Sequence, residues 1–358
     1  HIGDRKGRKV TMYASLLMMG ISTSIIGILP PAASAGVGVV IVLQLMRLAQ
    51  CFGRGGTWGG GILMAYENVP ENKRSFYAAI PQIGLPIGFG LSSILIALPE
   101  DIFFTWGWRI PFLAAIILTV IVIRQKGEMM ETEDYKKAQA KLEAEEAEGK
   151  KHKVGFIPMV KGYWKTLLLG CGTRWVDGTF YNIFIVWILS YCINWLGMPL
   201  IQTYIITIIA CIFKIPFTLF GGWCAQKLGN TRTFVIGALA SAVLSIPTLK
   251  VIELSKGNLA ITIIGIVLGW SIAYNLIWAV ISSLWSSYFE TEVRYSGISF
   301  VYHVPSFLVA GMVPTICTLL INYGKGDTIY VGIYSTVVAL ISAACALALK
   351  ARHDRGEK

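Results

Sequence analysis

The chain has 358 residues, of which 55% are hydrophobic and 14% charged, with 31 Lys and Arg against 20 Asp and Glu. At a mean hydropathy of +0.63 it has too little polar surface to coat a soluble globule of this size, which excludes a soluble enzyme or binding domain. The net charge of +11 is read as a topological signal at a membrane surface, and nucleic-acid binding is a poor account of it.

Apolar stretches of about 20 residues recur, each long enough to cross a bilayer as a helix whose backbone groups are satisfied internally. In chain order they run approximately from Val10 to Leu29, Gly36 to Ala65, Arg74 to Leu98, Arg109 to Ile123 and Tyr163 to Leu196. Five more follow, from Leu200 to Ala225, Thr233 to Val251, Leu259 to Ser283, Arg294 to Ile321 and Ile329 to Leu349. Barrel strands would need alternation at period two, and none is seen.

Basic residues set the orientation, because Lys and Arg of short loops stay cytoplasmic. Placing the first residues inside gathers Arg5, Lys6, Arg8, Lys9, Lys73, Arg74, Lys227, Arg232, Arg294, Lys350, Arg352, Arg355 and Lys358 there. Only Lys250, Lys256 and Lys325 remain outside, with Arg109 near the interface, so both ends are expected in the cytoplasm. The seven cysteines have no Cys-x-x-Cys spacing and all fall in predicted helices, which disfavours a metal site or disulfides.

A polar segment from about Arg124 to Lys161 interrupts the pattern, giving three expected parts: residues 1–123, a linker over 124–161, and residues 162–358. Within it Glu133 with Lys137, and Lys141 with Glu145, have the i,i+4 spacing of an exposed helix, and a solvated helix without further role is the preferred reading. Across the linker the sequence repeats itself. Gly3-Asp4-Arg5-Lys6-Gly7-Arg8-Lys9 and Ala225-Gln226-Lys227-Leu228-Gly229-Asn230-Thr231 each precede an apolar helix, with Gln226 lying 222 positions after Asp4. Glu67 to Arg74 and Glu290 to Arg294 close a second pair of loops, the two arginines 220 positions apart. Parallel repeats about an axis normal to the membrane are a device of alternating-access transporters. On this pattern the first half is two helices short, and the charged start at His1 suits an N-terminally truncated chain.

The first of these loops resembles the cytoplasmic signature after the second helix of major facilitator superfamily transporters. The resemblance implies an all-α membrane fold of two six-helix bundles related by a pseudo-two-fold axis, with about ten of twelve helices present here. Arg47-Leu48-Ala49-Gln50, Gly53, Gly55, Gly56, Trp58-Gly59-Gly60, Pro81-Gln82-Ile83-Gly84, Trp106 to Phe112 and Val293-Arg294-Tyr295-Ser296-Gly297 together resemble its metabolite:proton symporter branch, which includes permeases for shikimate, 2-oxoglutarate, citrate and proline or betaine. Where most members of that branch carry a glutamate before Trp-Gly-Gly this chain has Thr57, and Cys51 stands in place of a glycine. That departure puts proton coupling through the usual acid in doubt.

Gly3 and Gly7 permit a tight turn, and Asp4 can approach a helix end or an arginine, so a cytoplasmic gate is expected from Gly3, Asp4, Arg5, Gly7, Arg8, Glu67, Arg74, Glu290 and Arg294. Gln226 in place of the acid weakens the second copy. Charges at hydrocarbon depth point to a substrate path, since each costs about 2.5 kcal/mol or more to bury. These are Arg47, Arg54, Arg174, Asp177 and Lys214, with His303 as a further titratable group.

Arg174 and Asp177 share a helix face and form either a structural ion pair or a switch in which Asp177 takes a proton and frees Arg174 for an anion. Lys214 either snorkels towards the cytoplasm or contacts substrate. Trp270, Tyr274 and Trp278 form a stripe that lines a cavity wall or packs in the core or against lipid. Gln82 donates either to a carboxylate or to another helix, and Tyr181 and Thr57 complete the candidate path.

The expected function is secondary active transport, a proton symport of a small organic acid by alternating access in the cell membrane. A uniporter, a symporter of betaine- or proline-like osmolytes, and a transporter-like sensor are the alternatives. The expected partners are the organic acid, the proton and membrane lipid, with a monomeric chain, no cofactor, no metal and no nucleic acid. No histidine cluster, nucleophile motif or nucleotide loop supports a membrane enzyme.

Overall fold

In a computed structural model that describes residues 2–96, 100–125, 131–147 and 156–357, the chain is helical from end to end, with no strand among the described residues. The helices are α1 (Ile2–Lys6), α2 (Arg8–Ile28), α3 (Ala32–Ala35), α4 (Val37–Glu67), α5 (Arg74–Ala79), α6 (Gly84–Ile96), α7 (Glu100–Thr105), α8 (Ile110–Arg124) and α9 (Glu133–Ala147). They continue as α10 (Phe156–Asn182), α11 (Ile188–Asn194), α12 (Leu200–Leu228), α13 (Asn230–Leu254), α14 (Leu259–Ile266), α15 (Asn275–Tyr288), α16 (Arg294–Leu308), α17 (Val313–Tyr323) and α18 (Ile329–Asp354). Among the described residues, ten segments are long and apolar enough to cross a membrane, and they coincide with the ten apolar stretches of the sequence.

Several spans are broken where sequence periodicity gives no warning. Pro81–Ile83 is a 3-10 turn between α5 and α6, and Ala310–Met312 another between α16 and α17. Two π-helical segments, Ile183–Trp187 and Val267–Ala273, join α10 to α11 and α14 to α15. Such departures from α-helix often mark functional sites. Here they flank the polar residues described below.

In the first bundle α2 packs on α4 and α8; in the second, α10 packs on α16 and α18, and α12 and α13 on α15. The α2–α4 contact is close because Gly53, Gly56 and Gly60 share a face, and a Cβ on Gly53 would lie 2.8 Å from the Ser15 carbonyl oxygen. Small residues that let backbones approach are the usual means of association in lipid, where apolar burial gives no advantage. The densest core lies in the second bundle, around Phe180, Phe234, Trp270, Ile277 and Trp285. The bundles meet where α12 packs on α5 and α6, and where α16 packs on α4.

The internal repeat has a backbone counterpart. Gly7 precedes α2 at φ 101° and ψ 154°, and Gly229, 222 positions on, precedes α13 at φ 89° and ψ 152°. Both conformations disfavour an L side chain; Gly229 turns the chain between α12 and α13, and Gly7 between the short α1 and α2.

Candidate functional site

Two polar clusters lie inside this apolar frame, one at an end of the bundles and one at mid-depth. The end cluster joins both halves. Asp4 accepts hydrogen bonds from the Tyr295 and Ser296 backbone N–H groups at 3.1 and 2.9 Å and from the Ser296 hydroxyl at 2.5 Å, placing a negative charge at the N-terminus of α16. Burial pushes the Asp4 carboxyl up from its usual value, against the opposing pull of Arg8 and the Ser296 donors.

Arg8, fully buried, donates to the Gly3 and Thr291 carbonyls and pairs with Asp4 at 3.3 Å and Glu67 at 3.4 Å. Glu67 accepts from Arg294 at 2.9 Å on its other oxygen. A Cβ on Gly3 would sit 2.7 Å from the Tyr295 ring, so that glycine serves a close approach.

The linker enters this cluster, which corrects the expectation of a solvated helix without a role. The Glu131 carboxylate accepts from the backbone N–H groups of Arg8 and Lys9 at 3.0 and 3.2 Å, at the N-terminus of α2. Thr132 is buried and donates to Glu67 at 2.6 Å, while Asp134 binds Arg74 at 2.8 Å and lies 3.5 Å from Arg294. The other side of α9 is solvated, and there Glu133 pairs with Lys136 at i,i+3 rather than with Lys137.

Of the residues expected at the gate, Gly3, Asp4, Gly7, Arg8, Glu67, Arg74 and Arg294 come together. Glu290 does not, being exposed and turned towards Tyr163 instead, while the Arg5 side chain lies outside the described residues. At the second copy Asn230, not Gln226, is the polar centre, accepting from Ser75 at 2.8 Å and Ser283 at 3.0 Å.

The mid-depth cluster is built on α10, α12, α15 and α16. Arg174 and Asp177 form an ion pair, and the Tyr274 hydroxyl donates to Asp177. Arg174 also donates to Ser306 at 3.2 Å and lies over the Tyr302 ring at 4.3 Å. Trp58 of α4 stacks on Tyr302 with centroids 4.0 Å apart, so the first bundle touches this group directly.

Lys214 is only 1% exposed and does not snorkel. Pro216 follows it within α12, and the ammonium donates to Asn275 at 2.9 Å, with the Trp270, Tyr274 and Trp278 rings 4.5, 4.4 and 5.9 Å away. The aromatic stripe is therefore core, folded around a cation, and does not face lipid. Rings around an ammonium compensate lost hydration through their negative faces.

The remaining candidates divide. Arg54 is exposed on α4, yet its charge reaches Tyr181 and His303, and the His303 ring approaches the Gly55 carbonyl. Gln82 is taken up between the bundles, where it accepts from Trp58 and Trp278 and donates to the Trp278 carbonyl at 3.3 Å, as interhelical hydrogen bonding requires. Thr57 bonds back to the Gly53 carbonyl and faces Met19 of α2. Arg47 lies apart, bonded to Gln50 and over the Phe112 ring at 6.0 Å. Tyr302, Ser306 and Asn275 are not among the residues expected from the sequence, and Trp58 enters there only within the Trp58-Gly59-Gly60 motif; of the first three, Asn275 alone, a polar residue inside an apolar run beside Tyr274, gives a signal in the sequence.

Ten spans in two bundles, a polar centre at mid-depth and a charged cluster joining both bundles at one end define a membrane transporter rather than an enzyme. The model of the Major Facilitator Superfamily matches residues 1–310, and the chain belongs to that family.

The chain is 33% identical over 366 residues to the inner membrane metabolite transport protein YhjE of Escherichia coli K12, covering 99% of this chain and 80% of that protein. It is 30% identical to the shikimate transporter of the same strain, over 98% and 80% of the two chains. It is also 27% identical to the proline/betaine transporter of Salmonella typhimurium, over 99% and 71%. In fold it is similar to the proton:xylose symporter XylE, with a TM-score of 0.72 at 15% identity over 97% of this chain and 80% of that one. The Escherichia coli fucose:proton symporter FucP gives 0.69 at 11% identity, over 97% and 85%.

Proposed function

We propose that the chain is the membrane part of a proton-coupled symporter for a small organic acid, working by alternating access. The observation that carries this reading is the Arg174–Asp177 pair with Tyr274 beneath it. Asp177 is 1% exposed and is, among the described residues, the only carboxylate away from the ends of the spans. A buried ion pair is held by mutual neutralisation; protonating the acid leaves the guanidinium in need of an anion. Proton and carboxylate substrate then enter together.

Arg54 reaches the same centre from α4, beside His303 of α16, and supplies further attraction for an anion, while Lys214 adds positive field through the ring of Tyr274. Of the substrates named for the relatives, shikimate is an organic acid and supports the class, whereas proline and betaine are zwitterions that share only its carboxylate.

In this reading residues 1–123 form a first bundle, 124–161 a cytoplasmic segment and 162–358 a second bundle, with both ends cytoplasmic and the chain a monomer in the cell membrane. The end cluster from Asp4 to Arg294 is the inner gate, here closed. Asp177→Asn mimics the protonated acid. It is expected to abolish accumulation of labelled carboxylate in vesicles while sparing one-for-one exchange, and accumulation at the native level by that variant contradicts the role of Asp177.

A further inference from the structure

A cavity of a different kind lies away from the polar centre. An apolar groove of about 650 Å³ runs along the outer side of the second bundle, between α10, α16 and α18. Trp164, Leu168, Cys171 and Trp175 form one wall, and Val304 and Leu308 the other, with Ile341 and Cys345 at the back. Nothing polar lines it that could hold an organic acid, and it lies within the depth of the spans, where lipid is the solvent. An occupant drawn from that solvent has a hydrocarbon chain.

The mouth of the groove gives the rest of the occupant. On α10, Lys165, Leu168, Leu169 and Gly172 follow i, i+3, i+4 and i+7 spacing, so one stripe runs from an exposed lysine into the groove wall, and beyond the kink at Tyr163 the exposed Lys161 follows Val160, which also lines the groove. Lys165 lies over the Trp164 ring at 5.5 Å, placing its ammonium beside the entrance. An aromatic residue with basic neighbours at the end of a span is the composition of a headgroup interface.

We infer that the groove binds one anionic phospholipid, an acyl chain lying between α10, α16 and α18 and the phosphate held by Lys161 and Lys165. The bound chain also rests on Pro305 and Val309, where α16 gives way to the 3-10 turn at Ala310–Met312. The opposite face of α16 presents Tyr302 and Ser306 to Arg174, and its first turn meets Asp4. The lipid therefore braces a helix that takes part in both polar clusters.

The test is native mass spectrometry of the full chain, purified and exchanged into detergent with either phosphatidylglycerol or phosphatidylcholine. The wild-type protein is expected to retain one phosphatidylglycerol with a preference of roughly tenfold or more over phosphatidylcholine, as two juxtamembrane lysines imply. The double variant K161E/K165E is expected to lose the preference but keep a lipid of either kind. Val304→Trp, which fills the groove, is expected to retain neither. Leu168→Trp, at the 65% exposed rim, gives the same reading if the first substitution does not fold. Equal retention of the two lipids by the wild type, no retention at all, or full retention by folded groove-filled variants each overturns the assignment.

Discussion

Replacing Glu67 by Gln removes one charge from the centre of the end cluster and almost no volume. The Glu67 and Arg8 side chains are fully buried and that of Arg294 is 10% exposed, so both cations lose their shared anion with little solvent to replace it. Breaking a buried pair costs about 3–5 kcal/mol. The amide oxygen still accepts from Arg294, so we take the lower end, about 3 kcal/mol, which shifts a closed-to-open equilibrium by about a hundredfold. Spin labels at Lys73 and Lys227, both exposed at this end of the molecule, report the separation of the bundles by pulsed electron resonance. The E67Q distribution should move to longer distances, whereas Glu133→Gln, in a pair that is 47% and 61% exposed, is worth under about 1 kcal/mol and should leave it unchanged. An unshifted distribution in folded E67Q protein would refute the reasoning that these charges hold the gate shut.

Four further substitutions probe other parts of the account. Gly7→Ala and Gly229→Ala both force a side chain into a disfavoured backbone conformation, at about 1–3 kcal/mol. Only at Gly7 does the new Cβ fall 2.1 Å from a Glu131 oxygen, while Gly229 faces open space. Thermal unfolding should therefore show the larger loss for G7A, and equal losses would mean that the linker does not dock there. Lys214→Met keeps the volume of a side chain with no acid beside it, so the melting temperature should stay near that of the wild type while KM for a carboxylate rises several-fold; an unchanged KM removes Lys214 from the substrate's field. At the opposite end, the Lys250 ammonium and the Ile329 N–H bond to Asp327 and hold its carboxyl below the usual range. A depressed acid contributes above its unfolded value and fades only as pH falls through its folded one, so Asp327→Asn should not alter the shape of the uptake profile between about pH 5 and 8. A changed profile would place a transport proton on this surface pair.

The ten spans were legible because runs of about 20 apolar residues have no other stable solution in lipid. Their breaks at Ala310–Met312 and the two π-helical segments were not, since packing between helices sets them, whereas the break at Pro81–Ile83 is marked by a proline, which has no N–H to donate. The Arg174–Asp177 pair follows from spacing alone, and so does the Trp270–Tyr274–Trp278 stripe. That Lys214 from another helix lies inside that stripe does not, because it depends on the angle at which α12 crosses α15.

The linker misled for a related reason. Charges spaced i,i+4 describe a solvated helix, and nothing local reveals that Glu131, Thr132 and Asp134, at one end of it, meet buried cations and a carboxylate some 60 to 160 residues away.

The most direct test of proton-coupled organic acid transport is uptake of a labelled cyclic carboxylate by vesicles holding the purified protein, with and without an inward proton gradient. The account predicts accumulation only with the gradient, its collapse when a protonophore is added, and no accumulation by Asp177→Asn. Uptake of the same extent without the gradient, or an equal preference for an uncharged analogue of the substrate, contradicts it.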